Sequence, residues 1–130
     1  MNANELIKSA LIARENAYAP YSEYKVGAAL LDCNGRVHLG CNIENASYGA
    51  TICAERVAFD TALTSGVKSF CAIAIVGGRD EITDFAFPCG ICRQVMAEFC
   101  SKDFKIILYN GKDTKELSLG ELLPEAFRLE

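Results

Sequence analysis

Two short segments hold the residues best suited to chemistry: Cys53-Ala54-Glu55-Arg56 and Pro88-Cys89-Gly90-Ile91-Cys92-Arg93-Gln94. Cys89 and Cys92 stand three apart, so on the first turn of a helix both sulfurs can face one point, as tetrahedral zinc requires. A CxxC alone is weak evidence, since two unrelated thiols or a redox pair share that spelling. The segment lacks the strand–helix start of a thioredoxin-like unit. Cys53 shifts the balance, because it opens another expected helix, where the macrodipole favours a thiolate. Cys53, Cys89 and Cys92 together leave one coordination position open. That is the pattern of a catalytic zinc, one per chain, rather than a structural one.

Glu55 could be no more than a solvated first-turn acid. Beside an open zinc position it can do more, because zinc lowers the pKa of bound water and a carboxylate within reach can carry the proton. Three thiolates on Zn²⁺ leave a net negative charge, which makes the metal a poorer acid. Arg56 is the cation expected to hydrogen-bond the sulfurs and offset it; a plain surface helix cation is the alternative. His38 is the only histidine and lies just past a hairpin turn, between Val37 and Leu39. It reads as a surface strand residue, not a fourth ligand. Cys33, Cys41, Cys71 and Cys100 have apolar neighbours and read as small core or near-core hydrophobes.

The elements that must position these residues follow from capping and periodicity. Asn2 and Glu5 have capping-box spacing, and Leu6, Ala10, Leu11 and Ala17 continue a helix over about 4–17. Val26 to Cys33 and Arg36 to Asn42 read as a hairpin, with Asn34-Gly35 signalling a type I′ turn. After a loop over 44–51, a helix is expected over about 52–63, then a buried strand over 69–76. A loop leads to Pro88, a helix runs over about 90–100, and a strand over 104–109. A short strand near 115–117 precedes a last helix over 119–123, capped by Ser118 and Glu121. This order predicts an α/β fold: a three-layer α-β-α domain on a mixed five-stranded sheet, spanning 1–130 as a single domain. Helix N-termini and strand C-ends then share one edge, where open α/β sheets bind ligands.

Composition narrows the classes. The chain has 130 residues, 51% of them hydrophobic, which excludes disorder. Its apolar runs break well before the ~20 residues of a membrane span, and no cleavable signal is read. A net charge of -4 with scattered Lys and Arg disfavours nucleic acid. Seven cysteines without an export signal favour a reducing compartment, the cytoplasm by default.

With these residues in place, the chain resembles cytidine deaminases of the small homotetrameric, zinc-dependent class. The resemblance rests on Ala19-Pro20-Tyr21-Ser22, Val26-Gly27-Ala28-Ala29-Leu30, Gly40-Cys41-Asn42-Ile43-Glu44-Asn45-Ala46, both cysteine segments and Glu121-Leu122-Leu123-Pro124. It implies hydrolytic deamination of free cytidine and deoxycytidine to uridine and deoxyuridine, with ammonia released, in pyrimidine salvage. It implies that Glu55 protonates N3 and then the leaving ammonia, that the Ala54 backbone binds the base, and that Asn42 and Glu44 grip the ribose. An acid at Glu44 would also repel a phosphate and so favour nucleosides over nucleotides. Phe127, with Tyr48, is implied to complete a neighbouring subunit's site in a homotetramer. The chain departs from the family pattern in two ways: Tyr24 stands where a phenylalanine is usual, and only three residues follow Phe127. Two other readings stay open at this stage. One is a deaminase of a cytosine-nucleoside antibiotic such as blasticidin S; the other is a non-catalytic structural zinc module.

Overall fold

The first helix starts as its cap dictates. In the computed structural model, which describes residues 1–129, α1 (Ala3–Arg14) opens with Asn2 Oδ1 accepting from the Glu5 N–H at 2.9 Å. The Glu5 carboxylate accepts from the Asn2 N–H in return, at 3.2 Å. The helix stops at Arg14, one turn before periodicity ends it, because tertiary bonds compete for the chain there. Tyr18 pairs with Ile43, its N–H donating to the Asn42 carbonyl at 3.0 Å. The Arg14 guanidinium clamps the carbonyls of Lys25, Gly78 and Asp80 at 3.0, 2.7 and 2.9 Å.

Five strands follow: β1 (Lys25–Asp32), β2 (Val37–Cys41), β3 (Phe70–Gly78), β4 (Lys105–Tyr109) and β5 (Thr114–Ser118). Their order in the sheet is β2-β1-β3-β4-β5, with β3 and β4 parallel and the other neighbours antiparallel. The central strands alternate between two cores. Ala29, Ala74 and Val76 face α1 through Leu6, Ile7 and Ala10. Leu30, Ile73, Ile75, Ile106 and Leu108 face α2 (Ala54–Thr64), α3 (Gly90–Phe99) and α4 (Leu119–Leu122). This is the expected three-layer α-β-α architecture on a mixed sheet. Among the described residues no helix is long and apolar enough to cross a membrane.

Two contacts fix where α2 lies. Gly40 of β2 has no room for a side chain: a Cβ there would collide with the Ala54 carbonyl and the Ala58 amide. Phe59, fully buried, sets its ring edge-on to Phe70 with centroids 5.0 Å apart. Truncating such a side chain costs on the order of 3–5 kcal/mol, so α2 and the residues at its N-terminus are firmly held.

The β1–β2 turn differs from the expected type I′. Gly35 takes φ 89°, but Asn34 does not enter the left-handed region. The loop has three residues instead, closed by the Gly35 N–H on the Asp32 carbonyl at 3.2 Å and the Asp32 N–H on the Arg36 carbonyl at 2.9 Å. The cause is Asp32, only 1% exposed, whose carboxylate accepts from the Asn34 and Arg36 N–H groups at 2.8 and 3.1 Å. His38 completes the set, its Nε2 2.9 Å from Asp32 Oδ2. His38 is therefore a partner for a buried acid, not a free surface residue.

These bonds, that from His38 foremost, lower the Asp32 pKa from its ordinary 3.8. A lowered folded pKa contributes stability that is complete above the unfolded value and is lost as pH falls through the folded one. The expected outcome is a melting temperature that drops below about pH 4, with a steeper acid limb in the native protein than in Asp32→Asn. Parallel acid limbs in thermal melts would remove Asp32 from this role.

Two of the four spare cysteines also depart from expectation. Cys100 is buried and Cys41 half-buried, but Cys33 and Cys71 are exposed. The β1–β3 register passes from Leu31 opposite Ala72 to Asp32 opposite Phe70. That leaves Cys71 as an extra residue and breaks the alternation that would have buried it.

Candidate active site

Cys53 and Cys89 are the N-caps of α2 and α3, both in extended backbone (φ -76°, ψ 153° and φ -70°, ψ 169°). Their sulfurs stand where the unsatisfied N–H groups and the dipole favour negative charge. Cys92, fully buried on the first turn of α3, sends its own N–H to Cys89 Sγ at 3.5 Å. The Sγ atoms of Cys53 and Cys89 are 3.8 Å apart, those of Cys89 and Cys92 3.4 Å, and all three lie within 4.8 Å of one another. Sulfurs sharing a tetrahedral zinc at the usual bond length stand about 3.8 Å apart. The triangle fits zinc with only small adjustments and has no fourth protein donor among the described residues.

Charge at the triangle is arranged to match. Hydrogen bonds from Cys92, then Arg56 and Cys89, pull Cys53 well below an ordinary thiol, while the same bond to Cys53 and burial push Cys92 up. The Arg56 guanidinium donates from Nη2 to Cys53 Sγ at 3.5 Å, and its Nε is buried with no acceptor. A cation against the sulfurs offsets their excess negative charge. Arg56 thus touches the triangle at Cys53.

Glu55 is 4% exposed. Burial pushes its carboxyl up to about 7, with the charge of Cys53 adding to the rise. A first-turn acid in water would not be in this state. An acid poised near neutrality can both accept and return a proton.

A pocket of about 290 Å³ opens over these groups, lined by Cys53, Ala54, Glu55, Cys89, Asn42 and Tyr24 among others. Asn42 is held from both ends: Nδ2 donates to the Tyr24 carbonyl at 2.8 Å and Oδ1 accepts from the Val26 N–H at 2.9 Å. One N–H and one lone pair remain free for a ligand. Burial and the nearby Asp84 raise the Tyr24 phenol, which stays neutral. Glu44 and Tyr48 line a neighbouring hollow, and Thr51 borders both spaces. The Glu44 carboxylate accepts from the Ser22 hydroxyl and from the N–H groups of Ser22 and Tyr21, which lower its pKa and keep it anionic. Phe127 is not brought to this pocket. Its carbonyl accepts from Gln94 Nε2 at 2.9 Å, and Arg128 bonds the Ala97 carbonyl at 2.6 Å, leaving the ring 68% exposed. Glu130, the last residue of that tail, lies outside the described residues.

Sequence reading missed Phe85 and Phe87, which form an apolar wall of the pocket with ring centroids 6.4 Å apart. The signal was present as alternating aromatics directly before Pro88-Cys89, in a stretch read only as a loop.

A triangle of thiols at two helix N-termini, a buried carboxyl beside it and an apolar pocket above, all on an α-β-α sheet, define the class of zinc-dependent base deaminases. Residues 1–108 match the model of the cytidine and deoxycytidylate deaminase zinc-binding region, and the chain belongs to that family. It is 50% identical to the cytidine deaminase of Halalkalibacterium halodurans, over all of this chain and 97% of that one. It is 47% identical to the cytidine deaminase of Sporosarcina psychrophila, over all of this chain and 94% of that one. The crystal structure of cytidine deaminase from Burkholderia pseudomallei superposes with TM-score 0.91 at 49% identity, covering 98% of this chain and all of that one.

Proposed function

We propose that this chain, acting as one domain over residues 1–130, is a zinc-dependent hydrolase of free cytidine and deoxycytidine, converting them to uridine and deoxyuridine with release of ammonia. The observation that carries the reading is the placement of Glu55: a carboxyl only 4% exposed that lines one pocket with the thiols of Cys53 and Cys89. Zinc held by Cys53, Cys89 and Cys92 would supply Lewis-acid activation of water. The rest falls to the chain's own side chains. Glu55 accepts a proton from the attacking water and delivers it to N3. It then takes the remaining proton of the new C4 hydroxyl and passes it to the departing amine, so that the C4 carbonyl forms as the C4–N bond breaks. The Ala54 backbone and Asn42 orient base and sugar, while Tyr24, Phe85 and Phe87 keep bulk water off the ring. Glu44, anionic in the neighbouring hollow, receives the ribose hydroxyls and repels a phosphate.

The experiment is direct. Zinc-loaded protein is mixed with cytidine, deoxycytidine, their 5′-monophosphates and blasticidin S, and ammonia and the cytosine absorbance band are followed. Turnover of both nucleosides with little of the monophosphates is expected. Preferential turnover of blasticidin S, or no turnover with zinc in place, would reject the reading.

A homotetramer in the cytoplasm, serving pyrimidine salvage, completes the proposal. The odd count of seven cysteines does not make a full disulfide framework, which suits a reducing compartment. Tyr48, Phe127, Ile91 and Phe87 expose 85%, 68%, 62% and 48% of their surfaces, apolar area that subunit contact would cover. Sedimentation is expected to give a tetramer, and Phe127→Ala to raise KM while zinc content stays at one per chain. A monomer with full activity at assay concentration would count against both.

A further inference from the structure

The sheet has two ends, and the reaction proposed above uses only one. Tyr24, Val26 and Asn42, which line the pocket, sit where β1 starts and β2 finishes, beside Gly78 at the end of β3. At the far end β1 finishes at Asp32 and β3 begins at Phe70, and there the register slips by the one residue Cys71. A bulge re-aims the side chain it displaces. Here it turns Cys71 outward, toward Cys33, the first residue of the β1–β2 turn. The Cys33 N–H is itself tied to the Ser69 carbonyl at 3.1 Å. The two Sγ atoms are 2.8 Å apart, and both residues are exposed. That is closer than the 3.4 and 3.8 Å separations within the metal triangle. No third His, Cys, Asp or Glu among the described residues joins the pair as a metal cluster. A disulfide bond is about 2.0 Å long, so a small closure would join these sulfurs, whereas sharing a metal would require them to separate.

We propose that Cys33 and Cys71 form a reversible thiol–disulfide pair that, when oxidised, fastens the β1–β2 turn to the start of β3. The co-reactant is a low-molecular-weight disulfide such as oxidised glutathione. The Cys33 thiolate attacks one sulfur of the oxidant, forming a mixed disulfide and releasing one glutathione thiolate. Cys71 then loses its proton and attacks the Cys33 sulfur, and the second glutathione leaves as a thiolate. The protein gives up two protons and two electrons, and the oxidant becomes two thiols. The Cys33 contact and burial, with the charges of Cys33 and Asp32, hold the Cys71 thiol up. Cys71 is accordingly the sulfur that attacks second. Joining positions 38 apart restricts the unfolded chain, so the oxidised form is the more stable one. The link lies at the end of the sheet away from the pocket and leaves turnover unchanged.

The test uses zinc-loaded protein equilibrated across a range of reduced-to-oxidised glutathione ratios. Free thiols are then alkylated and peptides mapped without reduction. The expected result is a cross-link between the Cys33 and Cys71 peptides and a mass loss of two hydrogens. Zinc content should be unchanged, and the melting temperature should rise by several degrees and return on adding dithiothreitol. Cys33→Ser and Cys71→Ser should each abolish both the cross-link and the rise, leaving glutathione on the surviving thiol. The proposal is overturned if both thiols carry glutathione without joining, or if neither reacts at any ratio. It is also overturned if the cross-links found involve Cys53, Cys89 or Cys92 with loss of zinc.

Discussion

Glu55→Gln is expected to lower kcat on cytidine by at least ~10²–10⁴-fold, the usual worth of a positioned general acid–base. That range corresponds to about 3–5.5 kcal/mol of activation free energy. The loss should fall near the upper end or beyond, because one carboxyl serves several transfers: from water, to N3, and to the departing amine. Glutamine matches glutamate in shape but has no proton to exchange near neutral pH. The native carboxyl is 4% exposed and held at about 7, so its surroundings already accommodate a neutral group. The variant should therefore fold, keep one zinc and bind nucleoside with little change. Zinc analysis, equilibrium binding of cytidine and single-turnover rates separate these effects. Near-native turnover in a zinc-replete variant would assign the proton transfers to another group.

Cys89→Ala is expected to lose zinc, activity and stability together. Cys89 acts twice: it is one of three sulfurs in the triangle, and it caps α3 by accepting from the Cys92 N–H. Losing the cap costs roughly 0.5–2 kcal/mol. Losing a ligand matters more, because metal that binds only the folded state stabilises it by mass action, about 4 kcal/mol at a thousandfold excess over Kd. Two sulfurs cannot hold the ion against water or buffer chelation. Thermal melts of native protein with a strong chelator should approach those of the variant, and added zinc should restore only the native protein. Cys100→Ala serves as the control, since Cys100 is also buried but lies outside the triangle. It should be destabilised by cavity formation and still retain zinc. Stoichiometric zinc in Cys89→Ala would remove Cys89 from the ligand set.

The amino-acid sequence by itself determined what depends on neighbours along the chain. Capping boxes at Asn2–Glu5 and Ser118–Glu121 appear where the spacing places them, since each needs only four consecutive residues. The near-continuous apolar run around Ile73 to Val76 specifies a strand buried on both faces. The CxxC at 89–92 brings two sulfurs together within one helical turn, and the residues flanking both cysteine segments carried the family resemblance. Tertiary structure decided whatever requires segments distant in sequence to meet. Cys53 joins the triangle only because Gly40 lets α2 lie against β2 and Phe59 anchors it. Glu55 could be a solvated acid until the fold buries it, and burial is what moves its pKa. The type of the β1–β2 turn was set by the bonds of Asp32 with His38 and the turn amides, against the local preference of Asn34-Gly35. The exposure of Cys33 and Cys71 was set by a one-residue slip in the β1–β3 register. Period and capping are short-range properties, legible in a string of letters. Register, burial and convergence are sums over contacts between distant segments, and they take values only once the sheet has closed.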